Sequence, residues 1–170
     1  MKARFSFSKD APEAYSAMLG VEQYIQRCGL QKDLLNLIKL RVSQINGCAF
    51  CIDMHWKESH ALGETETRLY SLDAWRECPY YSDRERAALS WAEALTRVTD
   101  GHVSDSVYEE VSPYFTNKEL ADLSLAVATI NAWNRVSISA RIVLATHTAK
   151  RQDEDCGDRS RPRENTLAYS

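Results

Sequence analysis

The chain has 170 residues, 44% of them hydrophobic, with only 6 glycines and 4 prolines, which describes one globular domain long enough to bury a core. A net charge of −3, from 21 basic against 24 acidic residues, gives no footprint for nucleic acid or an anionic membrane surface. No run approaches the ~18–20 apolar residues of a membrane span, and the stretch from Met1 to Asp10 lacks the apolar centre of a secretory signal. The expectation is a cytoplasmic protein with no nucleic-acid and no membrane partner.

Asp10 followed by Pro12 and Glu13 marks a helix start, and Tyr15, Met18, Leu19, Ile25 and Cys28 keep an apolar stripe until Gly29. From Asp33 to Ile45 the residues Leu34, Leu35, Ile38, Val42 and Ile45 repeat at helical spacing, with Lys39 and Arg41 placed on the other faces.

That helix runs into Asn46-Gly47-Cys48-Ala49-Phe50-Cys51-Ile52-Asp53-Met54-His55. Asn46-Gly47 is a turn pair that ends one helix and opens the next, leaving both cysteines in or near a first turn. Unpaired N–H groups and the positive end of the helix dipole stabilise a thiolate there. A third helix, from about Cys48 to Leu62 before Gly63, has the inner stripe Cys48, Cys51, Ile52, His55 and Ser59. Residues at i, i+3 and i+4 share a helix face, so Cys51 can meet Cys48 on one side and His55 on the other. This is a dithiol with its own base, and Cys51, nearest the base, is the more reactive thiol.

Two other readings stand beside redox chemistry: inert packing, since buried cysteine behaves as a small apolar residue, and zinc, for which Cys-x-x-Cys is a common half-site. A second ligand pair of zinc spacing is missing, and Cys28, His60 or Cys78 could complete a site only by folding back. Five cysteines, at 28, 48, 51, 78 and 156, are an odd, sparse set unlike a disulfide framework. Redox chemistry with no metal is therefore favoured.

Downstream, Thr65 to Leu72 reads as a short helix and Trp75 to Tyr81 as a loop in which Cys78 is incidental. Ser82-Asp83-Arg84-Glu85 has capping-box spacing and opens a helix with Ala88, Trp91, Ala92, Leu95 and Val98 inward, ending at Asp100-Gly101. A shorter helix starts at Ser104 and stops at Pro113, with His102 in the loop before it. Thr116-Asn117-Lys118-Glu119 is a second capping box, heading a helix of about 30 residues through Leu120, Leu123, Val127 and Ile130 to Ile142. Asn131, Asn134 and Arg135 interrupt its apolar stripe, as interface or site-lining groups or as part of a kink. Residues 150–170 are charged and poor in hydrophobics, the composition of a disordered tail that takes Cys156 out of the site. No segment alternates like a strand, so the chain reads as all-α, with one domain over residues 1–149.

The run from Leu34 to His55 closely resembles the core of the AhpD-like branch of the carboxymuconolactone decarboxylase family, and Asn131-Ala132-Trp133-Asn134-Arg135 resembles its C-terminal helix. The resemblance extends over about residues 10 to 145 and implies an AhpD-like helical fold, a homo-oligomer (trimer or hexamer) and a thiol-dependent peroxidase. On this implication Cys51 is peroxidatic, Cys48 resolves it as a Cys48–Cys51 disulfide, His55 moves the proton, and a lipoylated or other dithiol protein is the reductant. No cofactor is implied beyond that redox-active disulfide. The family's relay glutamate lies twelve residues before the first cysteine, where this chain has Asn36, which cannot take up a proton but can orient His55 or a water. Glu58, Asp53, Glu22 or a neighbouring subunit's carboxylate are the candidates to replace it. A disulfide reductase or a redox-switched oligomeric module without peroxidase turnover is the alternative, and decarboxylation of a lactone acid a minor one.

Overall fold

The computed structural model describes residues 2–144. The charged segment 150–170, Cys156 and the boundary at 149 lie outside the described residues. In chain order the helices are α1 (Phe7–Asp10), α2 (Pro12–Ile25), α3 (Lys32–Asn46), α4 (Ala49–Ala61), α5 (Glu66–Tyr70), α6 (Asp83–Thr96), α7 (Asp105–Val111) and α8 (Asn117–Ala140), with short 3₁₀ turns at Leu72–Ala74 and Val98–Asp100. No strand occurs among the described residues, and none of the helices there is long and apolar enough to cross a membrane.

The bundle is built around α3. Leu34, Leu35, Leu37, Ile38, Leu40 and Val42 are all buried, and so are Lys39, Arg41 and Ser43 between them, so α3 has no solvent face. It packs against α4, α6 and α8, while α2 lies on α8. The faces beside the apolar stripe, where the spacing places Lys39 and Arg41, are thus buried as well. Each is buried because an anion meets it inside: Lys39 Nζ donates to Glu22 at 2.6 Å, and Arg41 Nε donates to Glu93 at 2.8 Å while its Nη1 reaches Asp73. Glu93 also accepts from Trp75 Nε1 at 2.9 Å and Arg76 at 3.1 Å. Burial alone would raise the Glu93 carboxyl; hydrogen bonds from Trp75 and Arg41, the charge of Arg41 and the Arg76 contact together hold it below the usual range.

The caps explain where the helices start. Ser82 and Thr116 form complete capping boxes with Glu85 and Glu119, and Ser104 and Thr65 cap α7 and α5 by accepting from N–H groups three residues on. Helix α8 is shorter than its apolar pattern, 24 residues, because Arg141 takes the left-handed conformation at φ 53° and turns the chain out of the helix. Helix α8 runs unbroken through Asn131, Asn134 and Arg135. Asn46 Nδ2 donates to Asn131 Oδ1 at 3.0 Å and Asn134 Oδ1 at 2.8 Å; Asn134 Nδ2 donates to Ser43 Oγ, and Ser43 Oγ to the Lys39 carbonyl. Asn131 Nδ2 adds a bond to Thr96 Oγ1 on α6, and Arg135 grips Asn131 from outside. These polar groups bolt α8 to the C-terminal end of α3.

Helix α2 departs from its expected stripe: only Ile25 is buried, and Leu19 is exposed. Val21 and Ile25, with Cys28 just beyond the helix, pack on the core, while Tyr15 and Leu19 line a cavity beside α1 that the sequence pattern did not reveal. Phe7 of α1, Tyr15 of α2 and Trp133 of α8 meet edge to face with ring centroids 5.8–6.2 Å apart.

Arg41→Ala leaves Glu93 buried without its main cation and should cost about 3–5 kcal/mol, measured by urea unfolding, whereas the double variant Arg41→Met/Glu93→Leu should recover most of that loss. A double variant no more stable than Arg41→Ala would show that the site needs the charges themselves. Glu119 gives a second expectation, because the Thr116 backbone N–H, Arg84 and the Thr116 hydroxyl lower its carboxyl to about 2. Its contribution is present above the ordinary value of 4.5 and lost as pH falls towards about 2. The stability difference between wild type and Glu119→Gln should therefore be full at neutral pH and shrink through that window; a pH-independent difference would assign it to packing alone.

Candidate active site

One residue separates α3 from the cysteine pair. Gly47 sits at φ 67°, the left-handed region open to glycine at little cost. The Gly47 N–H donates to the Gln44 carbonyl and the Cys48 N–H to the Ser43 carbonyl at 3.0 Å, a Schellman turn that closes α3. Cys48 is at once the N-cap of α4, its carbonyl accepting from Ile52 N–H at 2.9 Å. The N–H groups of Ala49, Phe50 and Cys51 precede that first bond and have no helix carbonyl to meet. Cys51 thus lies in the first turn of α4, at the positive end of the dipole. The sulfurs of Cys48 and Cys51 are at disulfide distance, with Cα atoms 5.3 Å apart, and both residues are 1% exposed.

Cys51 opens onto a cavity of about 650 Å³. Helix α4 contributes Phe50, Cys51, Met54, His55 and Glu58 to its wall; α8 contributes Ile130, Trp133, Val136 and Ser137; α2 contributes Tyr15, Leu19, Glu22 and Gln26. Lys39 reaches it from α3, and the N-terminal segment with Ile142 and Val143 closes the rim. The Arg4 N–H to Ala140 carbonyl bond, 2.9 Å, fastens that segment to the end of α8.

His55 is 4% exposed. Its Nδ1 is 2.8 Å from Glu58 Oε2, and its Nε2 is buried without a hydrogen-bond partner among the described residues. The hydrogen bond from His55 holds the Glu58 carboxyl below its ordinary range, against the opposing effect of burial and with help from the charges of His55 and Lys39. An ionised carboxylate only accepts, so Nδ1 carries a proton and donates it, and in the neutral form of the ring Nε2 is the nitrogen with the lone pair.

The structure thus brings Cys48, Cys51 and His55 together on one face of α4. Asn36 is half-buried on α3 and is not part of the cavity wall. Among the candidate carboxylates, Glu58 and Glu22 border the cavity, Glu22 engaged by Lys39, while Asp53 pairs with Lys57 on an outer face at 2.6 Å. Lys39 and Trp133 were not singled out for the site from the sequence. The available signal for Lys39 was its flanks: Leu37, Ile38, Leu40 and Val42 leave no polar face for a cation to occupy. The residues that zinc binding would have to recruit lie elsewhere: His60 stacks on Trp56, Cys78 Sγ donates to the Ser71 carbonyl, and Cys28 packs on the core. Among the described residues no three of His, Cys, Asp and Glu are grouped to hold a metal ion.

Known proteins share this architecture. The uncharacterized Bacillus subtilis protein YdfG is 42% identical over 139 residues, 82% of this chain and 95% of its own. A crystal structure from Agrobacterium tumefaciens, of a protein of unknown function proposed to be the antioxidant defence protein AhpD, superposes with a TM-score of 0.83 at 39% identity, over 85% of this chain and 99% of the other. An uncharacterized peroxidase-related protein from Ralstonia eutropha, described by its alkylhydroperoxidase AhpD core, has the same fold with a TM-score of 0.72 at 17% identity, over 82% of this chain and 74% of the other. Residues 10–94 match the carboxymuconolactone decarboxylase family, and with these relatives and this helical frame around its Cys-x-x-Cys turn, the chain belongs to that family, in its AhpD-like branch.

Proposed function

We propose that this protein is a thiol-dependent peroxidase that reduces organic hydroperoxides. The observation that supports this most is the placement of Cys51, which lines an apolar cavity beside the unpartnered Nε2 of His55 and has Cys48 at disulfide distance behind it.

In the reduced protein, the Cys51 thiol gives its proton to His55 Nε2, and the first-turn N–H groups of α4 stabilise the thiolate. The thiolate sulfur attacks the outer peroxide oxygen: the S–O bond forms, the O–O bond breaks, and the departing alkoxide takes the proton from His55 to become the alcohol. Cys51 is now a sulfenic acid. The Cys48 thiol attacks its sulfur, forming the disulfide and releasing hydroxide, which takes the Cys48 proton and leaves as water. A dithiol reductant, such as a lipoylated protein, restores both thiols by exchange through a mixed disulfide, chemistry suited to a reducing cytoplasm. No cofactor takes part in this scheme.

The exposed apolar residues Phe5, Leu19, Ile142 and Val143 at the cavity fit assembly as a homo-oligomer, a trimer or hexamer, because patches of this kind are covered by partners more often than left to water.

Hydroperoxide consumption with dihydrolipoamide should be abolished in Cys51→Ser and in Cys48→Ser, with a Cys48–Cys51 disulfide mapped in oxidised wild type and a sulfenic acid trapped on Cys51 in Cys48→Ser. A disulfide that forms and reduces cleanly with no turnover of any hydroperoxide would replace this reading by a disulfide reductase or a redox-switched module. The cavity also predicts selectivity: kcat/KM for cumene hydroperoxide should exceed that for hydrogen peroxide, by about tenfold for every 1.4 kcal/mol of ring burial in the transition state. Equal values would mean that the apolar wall does not touch the substrate.

A further inference from the structure

The chain has a base in the cavity and, at Asn36, no acid–base group behind it. Every carboxylate within reach can be assigned. Asp53 is committed to Lys57 on the outer face of α4, and Glu22 to Lys39 at 2.6 Å. Glu58 is different: one helical turn beyond His55, it meets the ring at Nδ1 and leaves Nε2 free of it, while its side chain stays 49% exposed.

We propose that Glu58 is the positioning residue of the peroxidatic site, fixing His55 in the Nδ1–H form so that Nε2 is presented to Cys51 and offsetting the charge of the imidazolium that forms there. This rests on the peroxidase reading and supplies its missing partner. The geometry carries it in two independent ways. Nδ1 is engaged at 2.8 Å, which fixes both the ring's rotation and its tautomer. Nε2 is buried and unpartnered among the described residues, and a buried ring nitrogen left without a hydrogen bond is destabilising unless a ligand or a thiol proton meets it. Glu58 does not take the proton. The S–H bond of Cys51 breaks as the Nε2–H bond forms; the same proton later leaves Nε2 for the alkoxide, and Glu58 remains a carboxylate throughout.

The pH behaviour of His55 then depends on few groups. The titratable groups bordering its cavity are Glu58 and Cys51 on its own helix, Lys39 on α3, and Glu22 and Tyr15 on α2; α8 and the N-terminal segment bring no charged residue to the wall. With Glu22 and Lys39 paired to each other, Glu58 is the unshared anion.

The test uses the full chain, fully reduced, as wild type, Glu58→Gln, Glu58→Ala and, as a control on the outer face, Asp53→Asn. Three quantities are measured: the ¹⁵N shifts of the His55 ring, the rate of Cys51 alkylation by iodoacetamide across pH with peptide mapping, and the hydroperoxide rate. We expect Nδ1–H to dominate in wild type and Asp53→Asn. Both Glu58 variants should populate the Nε2–H form, alkylate Cys51 along a profile displaced to higher pH, and lose roughly 10–100-fold in hydroperoxide rate, the usual effect of removing a carboxylate that orients a histidine. A His55 tautomer unchanged in both variants, an alkylation profile superposable on wild type, or an equal loss in Asp53→Asn would overturn the proposal. If wild type itself consumes no hydroperoxide, that failure falls on the peroxidase reading, and the ring shifts and alkylation profiles still decide whether Glu58 orients His55.

Discussion

The left-handed turn at Gly47 is the constraint on which the site depends. It ends α3 and lets α4 begin two residues later, with only Gly47 and Cys48 between the helices, so there is no loop. Because there is no loop, Cys48 has to be an N-cap and Cys51 has to lie in a first turn, where backbone N–H groups are unpaired. A longer connection would leave the same Cys-x-x-Cys in the sequence but allow its thiols to sit in mid-helix, where the backbone N–H groups are already bonded. The reactivity we assign to Cys51 is therefore a property of how α3 stops as much as of the cysteines.

Stopping α3 there requires holding its C-terminal end still. Asn46 is the last residue of α3 and donates to both Asn131 and Asn134 of α8; Ser43, one turn back, accepts from Asn134. Asn134, which bolts α8 to α3, thus lies next to Trp133 and one helical turn before Ser137, both of which form part of the cavity wall. A polar network in an otherwise apolar seam admits few registers, since a shift of one residue would leave buried amides unpaired at about 1–3 kcal/mol each. That network fixes the wall of the cavity relative to the cysteine turn.

Much of this was legible in the chain. Ser82 and Thr116, each with glutamate three residues on, marked two helix starts; Asn46-Gly47 marked the turn; and the i, i+3, i+4 spacing put Cys48, Cys51 and His55 on one face. These signals are local, read within one or two helical turns. What stayed hidden depends on partners far along the chain. Lys39 and Arg41 look like surface residues until Glu22, 17 positions away, and Glu93, 52 away, arrive beside them. Asn131 and Asn134 look like faults in a stripe until Asn46 arrives from 85 and 88 positions away. Helix α2 differs in another way: part of its apolar stripe, Tyr15 and Leu19, lines a cavity while Ile25 and Cys28 pack on the core, and periodicity does not distinguish the two. Glu58 could be named as one candidate among several, yet only the packing of Glu22 on Lys39 and Asp53 on Lys57 separates it from the rest.

The charge balance of the cavity connects these pieces. Lys39 supplies one cation against the two carboxylates of Glu22 and Glu58, so the wall has one anion in excess when His55 is neutral and both thiols are protonated. Moving a proton from Cys51 to His55 creates a thiolate and an imidazolium together and leaves that sum unchanged. Forming a neutral disulfide with a neutral imidazole returns to it again. A bare thiolate in a low-dielectric cavity would be costly, but in the cycle we propose it forms together with a cation one helical turn away, itself held by Glu58 at the edge of solvent. Lys39 could not take that part while Glu22 neutralises it. With Lys39 paired to Glu22, the cycle we propose leaves control of the thiol to His55, whose charge can come and go.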